Sequence, residues 1–283
     1  MLDGYVLETR LADLHERLRD LGSVLVAFSG GADSAFLLAA AVRALGPDRA
    51  LAATAVSDSL PAAELIAATE FAAGLGVAHL TPRTQEMKRD GYRANAGDRC
   101  YFCKAELLDA LAPLAVSHRL AAVATGTNAD DARSAFRPGI RAALERGAVA
   151  PLRDAGLTKA QVRAASRQWG LRTWDKPAAA CLSSRIAYGL EISPARLARV
   201  ERAEAGLREA LASVGIPVRD LRVRDIGDTA RVEVDRDLVV RVAACAPALV
   251  AVRTAGFTEV EVDPRGFRSG SMNEALTVSN EAG

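Results

Sequence analysis

Ser29-Gly30-Gly31-Ala32-Asp33-Ser34 places two glycines, two hydroxyls and a carboxylate in one short run. Two glycines let a backbone bend and approach an anion closely, while amides opening a helix point at that anion with the helix dipole behind them. Ser29 and Ser34 add hydroxyl donors. Asp33 repels a bare phosphate, so its carboxylate makes most sense with Mg²⁺ lying between the two. The plain alternative is a tight strand-to-helix turn with serine and aspartate as caps. The lysine of the GxxxxGK[ST] loop is absent, which argues against a Walker ATPase, and the spacing of the dinucleotide fingerprint is absent too.

The second set of reactive residues is sulfur. Cys100 and Cys103 form a CxxC in Arg99-Cys100-Tyr101-Phe102-Cys103-Lys104, at the start of a predicted helix. There the amides and Lys104 favour thiolates. The pair alone reads as half a zinc site, a redox dithiol or coincidence. Structural zinc wants four ligands, and none of His15, His79 and His118 lies in a motif suggesting partnership. Cys181 stands far away in Asp175-Lys176-Pro177-Ala178-Ala179-Ala180-Cys181-Leu182-Ser183-Ser184-Arg185. Three thiolates converging on one open site suit a [4Fe–4S] cluster with a free iron. Cys245, in an apolar helical stretch, reads as a core residue.

These residues need a scaffold, and the hydrophobic pattern supplies one. Short apolar runs (Val24 to Phe28, Leu51 to Val56, Val77 to Leu80, Leu120 to Thr125) alternate with helical patterns (Ala35 to Leu45, Ala62 to Leu75, Tyr101 to Ser117). That alternation predicts βαβ units and a parallel sheet. Ligands of such sheets sit beyond the carboxyl ends of the strands, which directs attention to Ser29 to Ser34, Ser57 to Pro61 and Thr125 to Asp131. Asn128, Asp130 and Asp131 then lie within reach of a nucleotide, or form an ordinary polar turn with a helix cap. After Tyr188 the pattern changes: Ser193 caps a helix through Leu211, and strands Leu221 to Arg224 and Ala230 to Val234 flank an Ile226-Gly227-Asp228-Thr229 turn. A helix and a strand, Glu259 to Val262, follow. The expected division is a first domain over residues 1–187 and a smaller α+β domain over 188–283. Alanine is abundant without a repeat of fixed period and reads as helix filler.

The chain has 283 residues, half of them hydrophobic, enough for a sizeable core. Its 36 Lys and Arg nearly balance 35 Asp and Glu, so no global charge draws it to nucleic acid or an anionic membrane. Four cysteines are too few and too unevenly spaced for a disulfide scaffold. The charged N-terminus lacks a secretory h-region and no stretch is long and apolar enough to span a bilayer, so a cytoplasmic protein is expected.

The SGGxDS string resembles the loop of PP-loop pyrophosphatases, which implies ATP cleavage to AMP and pyrophosphate and a HUP-like α/β domain. DKPAAACLSSRI is similar to the D-K-P-x-x-A-C-L-x-S-R motif of the LarE family, and RCYFCK, TGTNADD, FRPG, APL and GFRSGSMNE resemble its other landmarks in the same order. The resemblance spans roughly Leu21 to Leu276. It implies an ATP-dependent sulfur transferase that adenylates a carboxylate of pyridinium-3,5-biscarboxylic acid mononucleotide and converts it to a thiocarboxylate, in nickel-pincer cofactor biosynthesis.

Two sulfur sources occur in that family. In one, the cysteine matching Cys181 gives up its own sulfur and is left as dehydroalanine. In the other, three cysteines hold a [4Fe–4S] cluster whose open iron carries an extra sulfide. With a CxxC besides Cys181, this sequence resembles the cluster type, with Cys100, Cys103 and Cys181 as ligands. The resemblance further implies Ser29, Gly30, Gly31, Asp33 and Ser34 as the ATP and Mg²⁺ loop, with Asn128 and Asp131 the strand-end candidates beside it. Arg222 and Arg224, on one strand face, suit the substrate phosphate or form a solvated charged face, and the resemblance favours the phosphate. Arg185 and Lys176 flank Cys181 and are suited to stabilising its thiolate and the adenylate charge. Glu201, Glu204 and Glu233 are candidates near a metal or substrate. A homo-oligomer, a sulfide source and other nickel-pincer biosynthesis proteins are implied partners. A tRNA thiolase of the same superfamily is the alternative enzyme, although no strong basic face is visible. A non-catalytic nucleotide sensor is the alternative outside enzymes.

Overall fold

The computed structural model describes residues 2–133, 137–177, 181–268 and 270–273. In chain order the first half runs α1 (Leu2–Leu21), β1 (Val24–Ala27), α2 (Ala32–Leu45), β2 (Ala50–Ala53), α3 (Ala62–Gly74), β3 (His79–Leu80), α4 (Asp90–Arg93), α5 (Arg99–Ser117) and β4 (Ala122–Thr125). The second half runs α6 (Ala129–Arg133), α7 (Pro138–Glu145), α8 (Pro151–Asp154), α9 (Lys159–Gln168), α10 (Pro194–Ser213), β5 (Leu221–Ile226), β6 (Thr229–Val234), α11 (Val239–Ala243), α12 (Ala246–Thr254) and β7 (Glu259–Val262). Contacts divide the chain into two units: Met1–Glu86 with Cys100–Ala179, and Met87–Arg99 with Ala180–Gly283.

In the first unit a parallel sheet is ordered β3-β2-β1-β4. All four residues of β1 are buried, as a strand covered on both faces demands. Alanine does more than fill helices here. In α2, every residue from Ala35 to Ala41 is buried, and the small side chains let the helix lie close to the sheet, α1 and α9. All four strands are shorter than the apolar runs suggest. Beyond β2 the pairing continues as single hydrogen bonds, Thr54 to Leu80 and Val56 to Pro82, and an isolated Val56–Arg83 bridge, while β3 keeps two residues.

In the second unit Ser193 caps α10, its Oγ accepting from the Arg196 amide at 3.3 Å. Leu197, Val200, Ala203, Leu207 and Leu211, spaced three and four apart, are the buried stripe of that helix. β5 and β6 form an antiparallel hairpin turned at Gly227, whose φ of +89° suits glycine. β7 joins β6 in parallel. On the other side of β5, Ile186 makes a parallel bridge to Asp225, and the Ala187 amide donates to the Asp225 carbonyl at 2.9 Å. No helix among the described residues is long and apolar enough to cross a membrane.

Candidate active site

β1 lies between β2 and β4, so the chain crosses to opposite sides of the sheet from its carboxyl end, where α/β sheets take their ligands. A cavity of about 380 Å³ opens there. Ser29, Gly31, Asp33 and Ser34 line it together with Thr54 after β2, Leu60, and Thr125, Gly126 and Thr127 at the end of β4.

Gly30 has φ +69°, the left-handed conformation that glycine alone adopts without strain. Gly31 then begins α2 without any side-chain cap. Among the described residues no backbone acceptor takes the amides of Gly31, Ala32, Asp33 or Ser34, the open donors of a helix start. The Ser34 hydroxyl steadies the bend, accepting from the Ser29 amide at 3.3 Å and lying 3.2 Å from the Gly31 carbonyl. Gly126 comes so close that a Cβ there would meet the Ser34 amide nitrogen at 2.8 Å.

Asp33 has one carboxylate oxygen, Oδ1, buried without a hydrogen-bond partner among the described residues. Burial pushes its pKa above the usual carboxylate value, against the pull of Lys159, whose ammonium lies 3.8 Å from Oδ2. An orphaned acceptor beside open amides fits a divalent cation carried on an anion. Asp131 also lines the cavity, while its carboxylate lies 3.2 Å from Arg137. Asn128, almost fully buried, does not line it. Its Oδ1 accepts from the Asp130 and Asp131 amides at 2.9 and 3.1 Å, capping α6.

The CxxC occupies the first turn of α5, with Cys100 exposed and Cys103 half-buried. The next residue, Lys104, lines the cavity, and burial lowers its pKa against the opposing pull of the two thiols. The same helix turn therefore serves the cysteine pair and the cavity.

In the second unit Cys181 is half-buried at the head of a short turn. Its carbonyl accepts from Ser184 N at 3.0 Å, Ser184 Oγ at 2.7 Å and the Arg185 guanidinium at 2.9 Å. Arg185 is buried and pairs bidentately with Glu204 at 2.9 and 3.2 Å, so it holds the Cys181 backbone in place. Tyr92 reaches Ser183 Oγ at 2.5 Å, Arg99 donates to the Ser183 carbonyl at 3.0 Å, and Asn95 donates to the Ala187 and Leu190 carbonyls at 2.8 and 2.9 Å. Among the described residues no group of three His, Cys, Asp or Glu is gathered as for a metal ion.

Arg224 pairs with Glu233 at 2.6 Å and reaches Ser271 at 3.1 Å. Glu204 also accepts from the Val223 amide at 3.1 Å. Both glutamates therefore neutralise arginines. Arg222 lies over the Phe267 ring, 5.3 Å from its centroid. Burial, then repulsion from Arg185 and Arg224, lowers its pKa. Glu201 is half-buried on α10, three residues before Glu204.

Sequence reasoning missed Lys159, Gly126 and the part Lys176 plays at the cavity. It also missed Tyr92, Asn95 and Arg99, the clamp on residues 183–190. The Lys159 helix carries a visible signal, the Thr158–Gln161 capping box, but nothing local says where its lysine points.

A four-stranded parallel sheet flanked by helices, with a glycine bend beyond its central strand, defines this protein as an α/β protein of the PP-loop type. The chain belongs to the LarE family: it is 34% identical over 278 residues to the pyridinium-3,5-bisthiocarboxylic acid mononucleotide synthase of Lactiplantibacillus plantarum, covering 96% of each chain. An uncharacterized Synechocystis protein is 40% identical over 275 residues, 96% of this chain and all of the relative. An uncharacterized protein of Methanocaldococcus jannaschii is 27% identical over 183 residues, 65% of this chain and 69% of the relative. No family model matches the chain.

Proposed function

We propose that this protein is a cytoplasmic, ATP-dependent sulfur transferase that converts a carboxylate of pyridinium-3,5-biscarboxylic acid mononucleotide to a thiocarboxylate, forming AMP and pyrophosphate. The observation that carries the nucleotide half is the cavity beyond β1, with its open amides and the unpartnered Asp33 oxygen. In this reading the amides of Gly31 to Ser34 and the lysines bordering the cavity bind the phosphates of ATP. Asp33 and Asp131 would hold Mg²⁺, which when bound would supply charge neutralisation for the phosphates. The substrate carboxylate attacks the α-phosphorus, the bond to the β-phosphate oxygen breaks, and the acyl adenylate forms. Sulfur then attacks the acyl carbon and AMP leaves. Arg222 and Arg224 take the substrate's phosphate. In this reading residues 1–187 are the ATP pyrophosphatase domain and 188–283 the substrate and sulfur-transfer domain.

For the sulfur source we assign Cys100, Cys103 and Cys181 to a [4Fe–4S] cluster. Thiolates at a helix start beside Lys104 suit such a group, and when bound it supplies the transferred sulfide. The alternative is the sacrificial reading, in which the Cβ–Sγ bond of Cys181 breaks as the α-proton is lost, leaving dehydroalanine. Formation of pyrophosphate that depends on the pyridinium mononucleotide tests the first half. Cys100→Ala tests the second: the cluster assignment expects product to fall by at least about 100-fold, and one full turnover per chain with a mass loss at Cys181 establishes the sacrificial route instead.

A further inference from the structure

Lys176 is separated by only four residues from Cys181, yet its ammonium belongs to the glycine bend. Nζ donates to the Gly30 carbonyl at 3.1 Å and to Glu64 Oε2, in the first turn of α3, at 2.6 Å. Lysine and glutamate are each about three-quarters buried, with side-chain exposures of 24% and 27%, and Lys176 lines the cavity. The bend has close neighbours on this side: a Cβ on Gly30 would stand in ordinary contact with the Ala68 Cβ at 3.5 Å and the Lys176 ammonium at 3.8 Å. An ammonium has three donors. Two are engaged with the carbonyl and the carboxylate, and the third has no partner among the described residues.

We infer that Lys176 is a positioning residue for the nucleotide: it fixes the Gly30 peptide through the carbonyl and transfers its charge from Glu64 to the incoming phosphates. The inference rests on the nucleotide reading of the cavity. The lysine–carboxylate pair keeps about a quarter of each side chain in solvent, so a polyphosphate carrying several negative charges outcompetes one carboxylate for the same ammonium. Glu64 is then a brake on phosphate binding that acts through Lys176. The arrangement also explains why a lysine so near Cys181 in sequence is spent on the opposite partner: its hold on Gly30 aims the following peptide, whose N–H is the first open donor of α2.

The test is calorimetric binding of the Mg²⁺ complex of a non-hydrolysable ATP analogue to the full chain. Glu64→Gln is expected to tighten binding about three- to fivefold. Lys176→Met is expected to weaken it about tenfold or more, with Lys176→Arg recovering part of the loss. In the Lys176→Met background, Glu64→Gln is expected to change nothing. A bridge that only braces the fold gives weaker binding in Glu64→Gln, and simple repulsion by Glu64 gives tightening that persists without Lys176; either result overturns the inference while leaving the nucleotide reading intact. An unaltered protein that binds no nucleotide overturns both. Thermal melting of each variant shows whether it is folded, and Lys176→Arg carries the comparison if Lys176→Met is not.

Discussion

Around Gly30 and Gly31 the donors are backbone amides without acceptors, whereas around β5 and β6 the donors Arg185 and Arg224 already hold Glu204 and Glu233. The bend offers amide donors, with the carboxylates of Asp33 and Asp131 in the cavity lining and Glu64 held on Lys176. The hairpin has excess positive charge tempered by carboxylates, with Arg222 left as the strained member whose charge is disfavoured by its neighbours. An anion entering the first region satisfies orphan donors, which gives geometry as well as affinity. An anion entering the second relieves repulsion among arginines, which gives affinity with looser geometry. The difference matches the proposed division of labour, in which the nucleotide must be held in line for attack and the substrate phosphate only anchored.

Asp33→Asn breaks the first region most sharply. Pyrophosphate formation is expected to fall at least about 100-fold, because the cation loses its charged ligand. Stability should move the other way. Asp33 has a folded pKa above its unfolded value, so its ionised form costs the native state at neutral pH, and the cost fades as pH falls through the raised pKa. Without nucleotide or Mg²⁺, the variant is therefore expected to melt about 2–4 °C higher at pH 7, with the gap closing in acid. A lower melting temperature at pH 7 refutes this account of Asp33.

Arg224→Met probes the second region, where the donor is already paired. It leaves Glu233 buried and uncompensated, so urea unfolding is expected to show a loss of about 3–5 kcal/mol, and Arg224→Met with Glu233→Leu should recover much of it. An unchanged midpoint for the single variant removes the claim that this pair is a closed circuit. Gly126→Ala is the mildest test of the comparison. Its Cβ would press on the Ser34 backbone, costing about 1–3 kcal/mol by overpacking, and nucleotide affinity should fall while the arginine hairpin is unaffected. Full nucleotide affinity in this variant shows that the bend tolerates displacement.

Much of this architecture was readable from pattern alone, because period and punctuation are local properties. The run Val24 to Phe28 entering Ser29-Gly30-Gly31, the Ser193 cap and the Ile226-to-Thr229 turn all announce themselves in adjacent residues. Asn128 shows the limit of that legibility: the same residue suits a ligand contact or a helix cap, and the structure adds that its Oδ1 lies under two amides while its side chain also hydrogen-bonds Asp33. Lys176 was assigned by its nearness in sequence to Cys181, but a long flexible side chain is governed by tertiary neighbours, here Gly30 and Glu64. The clamp of Tyr92, Asn95 and Arg99 acts across about ninety residues of chain, as in the Asn95 bond to Ala187. No periodicity records such a pairing.

Beside β5, the bridge from Ile186 to Asp225 ties the segment that follows Cys181 to the edge of the hairpin. On the proposed function, sulfur chemistry at Cys181 would therefore start from a main chain pegged within a few residues of the thiol rather than from a swinging arm. Any consumption of that sulfur would leave the scaffold standing.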